Sequence, residues 1–100
     1  MVKLNPSEMH LLVLICTNPD HPQTLELLRR LGDDARAIAI LILRSMHPSL
    51  PGLPRNLPAG IATDASRNAE IRTAAKEFAR MMEARRGEHA LRANRMPVHA

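Results

Sequence analysis

The chain has no tryptophan and no tyrosine, and Phe78 is its one aromatic residue. Proteins that hold single-stranded nucleic acid stack bases on flat side chains, and small-molecule pockets are usually lined by aromatic and other apolar groups. A chain this poor in rings is equipped for neither, so no small-molecule substrate and no cofactor are expected. Cysteine is nearly absent as well. Cys16 alone cannot close an internal disulfide, which suits a reducing, cytoplasmic setting. It ends the apolar stretch "LLVLIC", so it reads as a buried core thiol. A nucleophilic thiol needs partial exposure and a neighbouring base.

Long apolar runs are missing too. The longest, Leu11–Cys16 and Ala37–Leu43, fall far short of the roughly 20 residues that a membrane-spanning helix requires. No basic start leads into an apolar stretch and a small-residue cleavage site, so no secretory signal is expected. The four glycines are isolated and build no phosphate-cradling loop. Among His10, His21, His47, His89 and His99, no pair has the i, i+4 spacing that sets two imidazoles on one helix face, and no cysteine pair exists. A metal site is not expected. The carboxylates fall at helix starts, where capping explains Asp33 and Asp34, or among arginines, as with Glu70, Glu77, Glu83 and Glu88. No catalytic residue stands out, and the chain is not expected to be an enzyme.

What is present is material for helices. One hundred residues with 45% hydrophobic content make one domain with a core. In "LNPSEM", Asn5 suits an N-cap, Pro6 the first helical position, and Glu8 the reciprocal partner of a capping box. Leu4 and Met9 flank that cap as a hydrophobic staple. The spacing of Met9, Leu12, Val13 and Cys16 predicts a helix over 6–17, which the prolines of "TNPDHP" end. A second helix over 22–31 carries Leu25, Leu28 and Leu31 on one face and Arg29 and Arg30 in its last turn, where positive charge suits the helix dipole. Gly32 then reads as the residue just past its end, and Asp33 as the cap of a third helix over 34–46.

That third segment, "DDARAIAILILRSM", has almost no polar side. Ile38, Ile40 and Ile42 alternate as in a strand, but the cap, the alanines and the length favour a helix. Residues 47–62 follow as a strap with three Leu-Pro pairs, each holding its leucine extended, and those leucines are expected to pack on the helices. A fourth helix over 64–86 begins at Thr63 or Asp64. It sets Ile71, Ala74, Ala75, Phe78, Met81 and Met82 on one side and Arg72, Lys76 and Arg80 in a row on the other. Residues 88–100 are read as a tail that either continues the helix to about Arg95, before Pro97, or frays. The expected fold is all-α, a small four-helix domain occupying the whole chain, 1–100.

The net charge of +4 is uneven. Residues 1–34 balance at −2, residues 35–64 at +2, and residues 65–100 at +4, with eight bases against four acids. The basic character therefore lies in the last third.

The stretch from Leu4 to Met46, with "LNPSE", "TLELLRRLG" and the helix after it, resembles the front of winged helix-turn-helix regulators of the MarR type. Such a resemblance implies DNA binding through the third helix, with Asp34, Ala35, Arg36, Ala39, Ile40 and Leu43 turned toward the duplex. Of these, Arg36 alone offers a hydrogen bond to a base edge, and the Leu-Pro strap stands where a wing hairpin would. A second route to DNA uses phosphate contacts by Arg72, Lys76, Arg80, Arg85 and Arg86.

A helix that is apolar all round must be surrounded. Three other helices cover three sides, which leaves a fourth for the strap or for another molecule, a second copy being the commonest choice. The leading expectation is thus a small non-enzymatic interaction module, such as an adaptor, chaperone or inhibitor of the kind phages and plasmids encode. Its partner would be a protein, with a homodimer as well, through Ile38, Ile40, Leu41 and Leu43. Helix-turn-helix or basic-helix DNA binding is the alternative.

Overall fold

The computed structural model describes the backbone of residues 2–95 and the side chains of residues 2–84. Those residues form five helices and no strand: α1 (Pro6–Thr17), α2 (Thr24–Arg30), α3 (Asp33–Met46), α4 (Ala59–Ala62) and α5 (Ala65–Arg95). The all-α expectation holds.

α1 begins as its sequence dictates. The Asn5 side chain accepts from the Glu8 backbone N–H at 2.8 Å, and the Glu8 carboxylate reaches back to the Asn5 N–H at 3.5 Å. The other Glu8 oxygen accepts from the Gly32 N–H at 3.3 Å. One carboxylate therefore serves the N-termini of both α1 and α3, where partial positive charge gathers. Past Thr17 the chain turns through two prolines. α2 starts at Thr24, two residues later than its pattern suggested, because residues 21–23 are spent in the turn. The buried Thr24 hydroxyl donates to the Asn18 carbonyl at 2.8 Å and ties the two helices together.

The start of α3 differs by one residue from the expectation. Gly32 holds the extended N-cap position, and Asp33 is already helical. Its carboxylate caps nothing and instead pairs with Arg36 at 2.6 Å. α3 is the hub of the fold, for it packs against each of the other four helices. Seven of its residues are buried, namely Ala35, Ala37, Ile38, Ala39, Ile40, Ile42 and Leu43. Small alanines let neighbouring backbones come close, while isoleucine and leucine fill the spaces between them.

More of the core is covered by the segment after α3. Residues 47–58 contain no helix, and Leu50, Leu53 and Leu57 pack against the core. Gly52 has a φ of +79°, and a Cβ there would stand 2.7 Å from Leu25 Cδ1. Only glycine fits this turn over α2. The last part of the expected strap is a single helical turn, α4, which lays fully buried Ile61 in the core. Pro58 precedes that turn with a φ already fixed. Five helices therefore stand where the sequence suggested four.

α5 follows directly. Asp64 caps it, accepting from the Arg67 N–H at 3.1 Å, and Arg67 in turn grips Asp34 of α3 at 2.7 Å. Ile71, Ala75 and Phe78 are buried, with Ala74, Met81 and Met82 half-buried beside them. The helix extends to Arg95, the longer of the two ends that the sequence allowed it. Gly87 does not interrupt it, since a glycine costs a helix only about 1 kcal/mol. Residues 96–100 and the side chains of Arg85 and Arg86 lie outside the described residues.

Candidate functional site

The four side chains expected to meet a partner do not form a surface. Ile38, Ile40 and Leu43 are 1%, 1% and 0% exposed, enclosed by the chain's own helices, and Leu41 is half-buried. Burying such a side chain stabilises by about 1.5–3 kcal/mol, and here that gain is taken within one chain. α3 needs no second copy to be hidden.

The face that the helix-turn-helix resemblance would turn to DNA is closed in the same way. Ala35, Ala39, Ile40 and Leu43 are all buried. Arg36 is half-buried and held by Asp33, and Asp34 is held by Arg67. A recognition helix lays an open side in the major groove, and the four buried side chains do not belong to the part of α3 that is exposed, which is made by Asp33, Ser45 and Met46.

The chain does leave an apolar groove between its N-terminal segment and α5. Two adjoining depressions, each about 350 Å³, share Val2, Ala74 and Glu77. One is lined further by Leu4, Met9, Phe78 and Met81, with Ile38 at its floor. The other runs on past Ala69, Glu70 and Thr73. Local sequence builds this groove. The staple residues Leu4 and Met9 hold the N-terminal segment against α1, which places Val2 beside α5. The apolar stripe of α5 is wider than α3 can cover, so Ala74 and Met81 stay half-exposed along its edge.

The charges of α5 divide about its axis. Glu70 and Glu77 flank the groove. Arg72, Lys76 and Arg80 are exposed and line neither depression. At about 100° per residue, their four-residue spacing makes a row that drifts slowly around the helix. The Arg72 Nε–H donates to the Asn68 side-chain oxygen at 2.7 Å. Glu83 falls among the bases, three residues beyond Arg80. Glu70 and Glu77, expected to interleave with the arginines, lie on the groove side of the basic row, with Glu77 three residues before Arg80.

Catalytic material is scarce. Cys16 is buried, and its surroundings push the thiol up to about 12, because a thiolate there would lose its water. Such a thiol is inert. Among the described residues no group of three or more His, Cys, Asp or Glu could hold a metal ion, and no helix is long and apolar enough to cross a membrane. Every buried side-chain nitrogen and oxygen among them has a hydrogen-bond partner.

No family model, curated protein or solved structure matches this chain. Sequence reasoning found Leu4 and Met9 as a staple, and Ala74, Phe78 and Met81 as the inner face of α5. It missed that they meet. Val2 and Glu77 carried no local signal, since their role depends on where the N-terminal segment lies in the folded chain.

Proposed function

We propose that this protein is a small, non-enzymatic interaction module that binds a partner protein through one helix face. The observation that carries the reading is the groove between residues 2–9 and α5. Val2, Leu4, Met9, Ala74, Phe78 and Met81 line it, and Glu70, Thr73 and Glu77 make its polar edge. Apolar grooves of this kind receive the apolar face of an amphipathic helix. Two methionines suit that role, because their unbranched side chains re-shape around what they meet. An adaptor, chaperone or inhibitor acts in this manner.

A photo-reactive residue tests the reading in cells that express the protein. Placed at Met81 it should yield a discrete protein adduct, while the same residue at exposed Arg29 of α2 should yield none. Equal labelling at both positions, or none at Met81, would count against the groove.

The row of Arg72, Lys76 and Arg80 favours a second reading, in which α5 contacts the phosphates of a nucleic acid without reading bases. Three phosphate contacts would give a salt dependence with a log–log slope near −2.7, at about −0.9 for each phosphate on duplex DNA. Affinity that does not respond to salt, or that survives Lys76→Glu with Arg80→Glu, removes this reading.

A further inference from the structure

We propose that the exposed side of α5 lies along the sugar-phosphate backbone of a duplex nucleic acid, with Arg72, Lys76 and Arg80 on neighbouring phosphates of one strand. This deepens the second reading above and rests on it. The three bases stand about 6 Å apart along the helix, close to the separation of neighbouring phosphates on one strand. Each is exposed. The ion pairs among the described residues use Arg30, Arg36 and Arg67. Arg72, Lys76 and Arg80 join none of them, although Glu77 and Glu83 each stand three residues from Arg80. Arg72 is also held in place. Its Nε–H donates to the Asn68 side-chain oxygen at 2.7 Å, which leaves the terminal nitrogens of the fork to meet an anion.

What surrounds the row favours a phosphate backbone over an acidic protein. At about 100° per residue, Ala65, Ala69 and Ala79 fall on the side of Lys76, and such small residues let a backbone come close. The large apolar side chains exposed among the described residues are Leu14 and Met46, and neither belongs to α5. A protein interface is built around a desolvated apolar and aromatic core, whereas phosphate contacts need only donors and charge. A single strand is disfavoured for a different reason. It is held by bases stacking on rings, and Phe78, the one ring, is buried.

The test uses the whole protein and three fluorescent probes: a short DNA duplex, one of its strands alone, and a polyglutamate peptide. Anisotropy should show the duplex binding at least about fivefold more tightly than either of the others, since the strand finds no ring to stack on and releases fewer counterions per contact. Raising salt from about 50 to 200 mM should weaken duplex binding about fortyfold, at a slope near −2.7 for three phosphates. Arg72→Ala, Lys76→Ala and Arg80→Ala should each reduce the magnitude of that slope by about 0.9, while Arg29→Ala on α2 should leave it unchanged. A thermal melt of each variant confirms that the fold is kept. If the strand binds as tightly as the duplex and the three substitutions weaken both, the duplex inference is overturned and the phosphate reading stands. If polyglutamate matches the duplex, if the duplex does not bind, or if the substitutions leave the slope as it was, both fall.

Discussion

α3 and α5 are both rich in alanine and carry strong apolar patterns, yet they have opposite relations to the rest of the molecule. α3 buries seven of its 14 residues, and four other helices pack against it. α5 has one buried stripe, two carboxylates beside a groove and a row of exposed bases next to them. The difference shows where function can reside. Side chains fully spent on the core have nothing left to offer a partner, whereas a helix with distinct flanks presents several surfaces at once. An apolar segment read from sequence marks a need for cover, and the cover can come from the same chain.

The largest expected effect tests the closed circumference of α3. Ile38 and Ile40 lie on nearly opposite sides of the helix and are both 1% exposed. Ile38→Ala and Ile40→Ala should each cost about 2–5 kcal/mol in urea unfolding. If one costs under about 1 kcal/mol, that side of α3 is open.

The shell over α3 can also be probed by pH. The Cys16 thiol is raised in the fold from an ordinary 9.0 to about 12, so the unfolded chain ionises first as pH rises. Its contribution to stability is full below about pH 9 and is lost progressively between pH 9 and about 12. Denaturant midpoints across that window should fall for the native chain and fall less for Cys16→Ala. Alkylation of Cys16 at neutral pH should require unfolding.

α5 should give graded responses around its axis. Met81→Ala, at the groove edge, should cost about 1 kcal/mol, well under the loss at a fully buried position. The Asp34–Arg67 pair, at 2.7 Å but partly exposed, should show a coupling of about 0.2–1 kcal/mol in a double-mutant cycle, weakened by salt. Lys76→Ala and Arg80→Ala should change stability by no more than about 0.5 kcal/mol. A larger loss at either would mean that the row is structural, and the contrast between the flanks would weaken.

Much of the fold is legible in local chemistry. The Asn5–Glu8 capping box, the proline stop after Thr17, the inner stripe of α5 and the all-α class all follow from spacing and caps. Boundaries set by competition were harder. Gly32 and Asp33 both suit the N-terminus of α3, and the extended glycine won because Glu8, from a distant part of the chain, already bonds its N–H. The turn of α4 was hidden among prolines, where Ile61 was the sole hint that "AGIA" had something to bury. The cover over α3 was underestimated for that reason, since α4 packs against it and lays Ile61 in the core. The groove was not legible, because it arises when residues 2–9 are placed against residues 69–81, and no short window contains that pairing.

The central claim is that α3 is hidden by its own chain, which leaves the flanks of α5 as the working surfaces. Thermal unfolding followed over a hundredfold range of protein concentration tests it most directly. The account predicts a midpoint that does not move, as for a self-sufficient monomer. A midpoint that climbs with concentration would show that the folded state is completed by a second copy, and would contradict it.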